Sequence, residues 1–362
     1  MFMYEYTHGG DIYDENGYVK ENITDFSASI NPLGIPEGAA EAAKSAITRS
    51  DVYPDSDCRL LRAKLGEFEG VDKSNILCLA GASDVLFRLV YAVKPQKALV
   101  AAPSFSDYER AGRAAGAEII YYARKKENNF NIEKDIAPLI FSASPDIVFI
   151  CNPNNPTGNL TDMELMEEMA SECEAAGSIL VVDECFLDFA ESSRIRSAKA
   201  LAERYKNIVV LKAFTKIFAM PGLRLGYAIC GDTKLISRIR FCGPDWAVSN
   251  VAEKAGLAAL ECAGEYIADT REYVKKERGY ISGELESAGM TVYPAHANFI
   301  FFHCPREIDL CAELKKQGIL IRDCANFAGL GPGYYRCAVL SRQKNRLLAA
   351  ALKGVKKLWQ NR

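Results

Sequence analysis

The sequence predicts an α/β protein: a mostly parallel seven-stranded sheet with helices on both faces, joined to a smaller α+β unit. Three observations carry this. Seven short β-rich runs alternate with helical stretches between residues 76 and 229. Several of these runs are continuously apolar, the pattern of strands covered on both faces. At 362 residues the chain is also too long for one simple core, so about two units are expected.

The runs are Ile76–Ala80, Ala98–Ala101, Glu118–Tyr122, Ile147–Cys151, Ile179–Val182, Ile208–Leu211 and Leu225–Ile229. The segments between them are long enough for crossover helices, and strands alternating with helices imply a parallel sheet. Thr161 followed by Glu164 matches a capping box at one helix start. Near residue 245 the pattern changes. A charged helical stretch runs from Asn250 to about Ser287, followed by strand candidates at Asn298–Phe302, Ile319–Ile321 and Tyr335–Val339 and a basic helix over Gln343–Lys357. The expected division is a large unit, 41–245, and a small unit made of 1–40 and 246–362.

Apolar residues make up 49% and charged residues 25%, with 44 basic against 47 acidic side chains and a net charge of −3. That leaves no basic excess for a nucleic-acid backbone or an anionic membrane, and neither is an expected partner. No apolar run approaches the ~18 residues of a membrane helix, and Met1 to Gly10 lack a signal-peptide pattern. The expected compartment is the cytoplasm. The twelve cysteines form no CxxC or CxxxC, so they read as buried reduced thiols, and three scattered histidines offer no metal site.

Several nucleotide and hydrolase motifs are missing. The chain has no GxxxxGK[ST] and no GxSxG, and Gly329-Leu-Gly331-Pro-Gly333 reads as a tight turn. What remains is a set of polar residues at the carboxyl ends of the predicted strands, where open α/β sheets build their sites. Gly81-Ala82-Ser83 follows the first run and opens a helix, whose free amides suit a phosphate. Asn155-Pro156-Thr157-Gly158 follows the fourth run, Asp183-Glu184 the fifth and Thr215-Lys216 the sixth, with Arg224 eight residues further on. Taken singly, each has a plainer reading: a turn, a helix cap, a surface lysine, a surface ion pair. Together they suit one task. A lysine can form a Schiff base with an aldehyde cofactor, an aspartate can hold a pyridinium nitrogen protonated, and an arginine with helix amides can clamp a phosphate. That is pyridoxal phosphate chemistry.

Over essentially its whole length the sequence resembles the fold-type-I pyridoxal-phosphate enzymes of aminotransferase class I and II. The stretches that carry the resemblance are Asn152-Pro-Asn-Asn-Pro-Thr-Gly158, Val181-Val-Asp-Glu184, Phe214-Thr-Lys216 and Pro221-Gly-Leu-Arg-Leu-Gly-Tyr227. Within the group it is most similar to the branch of histidinol-phosphate aminotransferase and threonine-phosphate decarboxylase. The resemblance implies pyridoxal 5'-phosphate as cofactor, with Lys216 as the Schiff-base lysine and proton shuttle. It implies Asp183 at the ring nitrogen, Asn155 at O3′ and Phe105 stacked on the ring. Ala82, Ser83, Thr215 and Arg224 would meet the cofactor phosphate. Tyr53 would reach that phosphate from a neighbouring subunit, implying a homodimer. Arg336 would grip a substrate carboxylate, and Asn31 belongs to the amino-terminal substrate segment. A phosphorylated amino substrate needs a second cationic pocket, for which Arg322, His8 and Asn31 are candidates.

Two positions depart from the family pattern. Ala213 stands where a hydroxyl is common three residues before the lysine. Phe186 stands where most aminotransferases have a tyrosine three residues after the aspartate. Phenylalanine there is associated with the decarboxylase. His8-Gly9-Gly10, Asp25 to Gly34, Pro244-Asp-Trp246 and Ser249-Asn250 resemble the decarboxylase as well. The resemblance therefore implies decarboxylation of L-threonine O-3-phosphate. A transaminase for histidinol phosphate is the alternative, and a non-catalytic ligand-binding relative is a third reading.

Overall fold

The computed structural model describes residues 8–306 and 308–360, so the first seven residues of the opening segment lie outside it. Thirteen strands are present among the described residues: β1 (Thr24–Asp25), β2 (Ile76–Leu79), β3 (Lys97–Ala102), β4 (Glu118–Ala123), β5 (Ile147–Cys151), β6 (Ile179–Asp183), β7 (Ile208–Ala213), β8 (Gly226–Cys230), β9 (Thr291–Val292), β10 (Phe299–His303), β11 (Ile319–Leu320), β12 (Arg322–Asp323) and β13 (Tyr334–Ala338). Each of the seven predicted runs becomes a strand of one sheet, in the order β2-β8-β7-β6-β5-β3-β4. Only β8 runs against the others, pairing antiparallel with both β2 and β7.

The continuous apolar runs have a direct physical cause. Val148 and Ile150 of β5 enter one core, while Ile147, Phe149 and Cys151 enter a separate core on the opposite face. Successive side chains of a strand point to opposite faces, so a sheet with helices on both sides needs apolar residues at every position. The edge strand β4 is less covered: Glu118, Tyr121 and Ala123 are exposed, while Ile120 and Ile119 pack partly buried against the two cores.

The carboxy-terminal part adds a four-stranded antiparallel sheet, β12-β13-β10-β9. The amino terminus joins it. β1 pairs in parallel with β11, and Phe26 O accepts from Ala338 N at 2.8 Å. The predicted helical stretch after residue 250 is two helices, Asn250–Glu261 and Ala263–Ser287, interrupted at Cys262. The terminal helix spans Arg342–Gln360. The predicted capping box does not form. The N-cap is Asp162, one residue later, with no side-chain cap bond, and the Thr161 amide, which a capping-box Glu164 would accept from, donates to Asn152 Oδ1 at 2.8 Å. All twelve cysteines are unpaired, and eight of them are buried. Among the described residues no helix is long and apolar enough to cross a membrane.

Below the sheet lies a buried charge network. Glu69 accepts from Lys212 Nζ at 2.8 Å, Lys199 Nζ at 2.7 Å and the Tyr227 hydroxyl. Burial alone would raise its carboxyl pKa, but the two ammonium groups overcome that and hold it at about 2, against an ordinary 4.5. The stabilisation from this depressed carboxyl is therefore complete above pH 4.5 and lost as pH falls through about 2. Glu69→Ala would strand the Lys212 ammonium in the interior. It is expected to cost about 3–5 kcal/mol, read from the urea midpoint.

Candidate active site

The carboxyl ends of β5, β6 and β7 bring Cys151, Asp183 and Ala213 to the floor of one cavity of about 290 Å³. Eleven of the thirteen predicted site residues line it: His8, Ala82, Ser83, Phe105, Asn155, Asp183, Thr215, Lys216, Arg224, Arg322 and Arg336.

One end is an anion cradle. Helix Ala82–Val93 begins there with Gly81 as N-cap and no side-chain cap bond, leaving first-turn amides without intrahelical partners. Gly81 has φ +97°, and a Cβ on it would lie 3.0 Å from Arg224 Nη2. A Cβ on Gly226 would lie 2.5 Å from Ala82 N. Two glycines thus let a guanidinium and a helix start converge. Arg224 itself adopts left-handed φ of 56°, a conformation that costs roughly 1–2 kcal/mol in a residue with a Cβ.

At the other end Asp183 accepts from the Tyr108 hydroxyl through Oδ2 at 2.7 Å and from Cys185 N through Oδ1 at 3.0 Å. Tyr108 is fully buried, stacked on Phe149 with centroids 5.3 Å apart. Burial and the neighbouring carboxylate push its phenol well above its usual range, so it stays a hydrogen-bond donor to Asp183. Lys216 follows β7 and lies with Nζ 5.8 Å from the Phe186 ring centre. Burial, then the Arg336 charge, lowers its pKa to about 8.

The remaining wall comes from the small sheet. Arg322 and Arg336 face each other in register across β12 and β13. Arg336 donates to Asn155 Oδ1 and, at 2.9 Å, to Ser27 O, while its Nε has no partner. Arg322 donates to Asp323 O at 2.6 Å and Asn326 Oδ1 at 2.9 Å and lies over Phe327. Neither guanidinium forms an ion pair with a carboxylate among the described residues. His8 approaches from the amino-terminal segment, with Nε2 3.4 Å from Asp107 Oδ1.

Two predicted residues lie elsewhere. Asn31 is buried outside the cavity, where Nδ2 donates to Ile217 O at 2.6 Å and Thr270 Oγ1 at 2.8 Å. Its amide donates to Lys216 O at 3.2 Å, so it holds the lysine's backbone and does not touch the cavity. Tyr53 is 75% exposed and stacks on Trp246 with centroids 4.6 Å apart. Sequence reasoning missed Tyr108, Asp107, Ser29 and Phe327. Tyr108 was within reach, since it stands one helical turn beyond Phe105.

The cavity fits an elongated group with a phosphate at one end and a basic ring nitrogen at the other. It offers uncapped amides and Arg224 for the first, and a buried carboxylate held by Tyr108 for the second. Residues 21–352 match the family described as aminotransferase class I and II. The chain belongs to that family. It is an enzyme that uses pyridoxal 5'-phosphate, and its fold is that of the fold-type-I aminotransferases. It is 34% identical to the threonine-phosphate decarboxylase of Salmonella typhimurium, over 98% of each chain. Among solved structures it is similar to the histidinol-phosphate aminotransferase of Clostridium acetobutylicum, with a TM-score of 0.85, 30% identity and coverage of 92% of this chain and 98% of that one. The L-threonine-O-3-phosphate decarboxylase of Porphyromonas gingivalis gives a TM-score of 0.79 and 25% identity, with 92% and 99% covered.

Proposed function

We propose that this chain decarboxylates L-threonine O-3-phosphate to aminopropanol phosphate, a cobalamin precursor. The observation that carries the reading is the end-to-end likeness to the Salmonella decarboxylase. Phe186 supports it. It leaves the position three residues after Asp183 without a hydroxyl, and its ring packs edge-on against Phe299 at 5.1 Å.

Pyridoxal phosphate, when bound, accepts the electron pair left on Cα as a bond to that carbon breaks. In this reading Ala82 and Ser83 amides, Thr215 and Arg224 hold its phosphate, Phe105 covers its ring, Asn155 meets O3′ and Asp183 pairs with the ring nitrogen. Arg336 binds the substrate carboxylate. Arg322, with His8, takes the substrate phosphate, which accounts for two buried guanidiniums without carboxylate partners. Lys216 holds the cofactor and returns a proton to Cα after CO2 leaves. Residues 41–245 form the cofactor-binding unit, and 1–40 with 246–362 form the small unit. The protein acts as a cytoplasmic homodimer in which exposed Tyr53 reaches the neighbouring site.

Lys216 attacks an aldehyde only as a neutral amine. With its pKa lowered to about 8, the reactive fraction rises about tenfold per pH unit up to that point and then levels. Uptake of cofactor by stripped protein, followed by visible absorbance, is expected to accelerate up to about pH 8 and flatten above it. A rate still climbing tenfold per unit up to pH 10.5, the ordinary lysine value, would show that burial does not lower this amine.

The second reading, transamination of histidinol phosphate, is supported by the 30% identity to the Clostridium structure. Single turnover separates the two. With threonine phosphate, CO2 release and retained aldehyde cofactor are expected. Conversion to the pyridoxamine form without CO2, or faster turnover of histidinol phosphate with 2-oxoglutarate, would overturn the decarboxylase reading.

A further inference from the structure

Behind the loop that carries Asn155 lies a second cleft, of about 380 Å³, which shares no lining residue with the active-site cavity. Arg194, Arg196 and His296 line it, together with Asn131, Asn159 and the start of helix Met163–Ala176.

Three features give this cleft anion chemistry. Among the described residues neither Arg194 nor Arg196 forms an ion pair with a carboxylate, and Arg196 donates to its neighbour's carbonyl, Ile195 O, at 2.8 Å. The helix is 14 residues long, and its N-cap Asp162 makes no side-chain cap bond, so first-turn amides are free at the cleft. Burial first, and then the charges of Arg194 and Arg278, lower the pKa of His296, so its ring lies in a positive local field. Acidic groups are also present: exposed Asp162 lines the cleft, Glu164 lies in the first turn of the helix, and Glu191, which opposes the lowering of His296, is engaged by Lys275 at 3.3 Å.

A fourth feature narrows the anion. Asn159 is 95% buried, being 5% exposed, and its Nδ2 is occupied by Asn129 O at 3.0 Å and Asn131 Oδ1 at 2.7 Å. Those two acceptors fix the orientation of the amide. Its Oδ1 is left buried without a donor. A buried acceptor without a partner is costly, so an occupant that brings a hydrogen-bond donor as well as negative charge is favoured.

We propose that this cleft binds a hydrogen phosphate ion, with Arg194, Arg196 and the helix start neutralising its charge and its P–OH donating to Asn159 Oδ1. The site is distinct from those of the cofactor and substrate phosphates. Because His296 N also donates to Gly158 O at 2.9 Å, occupation braces the loop that positions Asn155.

The holoenzyme has only three histidines, so imidazole NMR can read the two cavities separately: His296 for this cleft and His8 for the active site. Titration with inorganic phosphate at constant ionic strength is expected to shift His296 and raise its pKa. The response should persist in Arg322→Gln and weaken at least about tenfold in the Arg194→Gln, Arg196→Gln double variant. Sulfate has the same size and charge but no proton to donate at neutral pH, and is expected to bind about tenfold more weakly. This comparison needs no variant. An unmoved His296, an undiminished response in the double variant, or equal binding of sulfate would each overturn the assignment.

Discussion

Lys216→Ala is expected to abolish the visible absorbance of covalently held cofactor and to lower turnover by roughly 10³–10⁴-fold, because in the proposed function one side chain both holds the cofactor and moves the proton at Cα. The fold should survive. Lys216 sits in a four-residue helical turn that makes no ion pair among the described residues, and its backbone stays tied to Asn31. The measurement is single-turnover CO2 release together with an absorbance spectrum and a thermal melt. Turnover within tenfold of wild type would remove Lys216 from the chemistry.

Arg336→Gln should produce the next largest loss. Arg336 is buried, forms no ion pair with a carboxylate among the described residues and has an unpartnered Nε, so an incoming carboxylate gains a desolvated, charge-assisted contact. Removing one member of such a pair costs about 2–5 kcal/mol, or roughly 10²–10³-fold in kcat/KM at the middle of that range. The defect should also change selectivity. Only the Cα bond perpendicular to the cofactor ring would feed electrons into its π system, and in the proposed function Arg336 would set which bond that is by fixing the carboxylate. The variant is therefore expected to exchange its Cα proton with deuterated solvent more often per CO2 released. A uniform loss in both steps would leave Arg336 as a binding residue with no part in orientation.

Much of this protein is legible without coordinates, for a reason specific to its architecture. Strands β5 to β7 are apolar at every position but Asp183 and Lys212 because helices cover both faces, so each stands out as a nearly unbroken run, and a predicted site residue closes or follows each within a few positions. Asp183 is prominent because it ends such a run, and Lys216 because it follows one closely. The capping box failed for a local cause: Thr161 was already bonded to Asn152, and no sequence spacing reports that competition. Asn31 lies outside the cavity for a related one. Its side chain is consumed by Ile217 and Thr270, which are distant in sequence and adjacent in space.

What the tertiary structure decided concerns long-range pairing. Tyr108 holds Asp183 across 75 positions, and Glu69 meets Lys212 across 143. The double-arginine wall exists because β12 and β13 pair in register. The second cleft needs Arg194 and His296 on the same side of the Asn155 loop. None of these contacts has a period or a motif, since each depends on where a buried group finds a partner after the chain has packed. The sequence alone determined the class of fold and the cofactor, because strand periodicity and short cofactor motifs are local. Which polar groups are satisfied and which are left waiting for a ligand was decided only by packing, because burial is what makes an unpaired group costly.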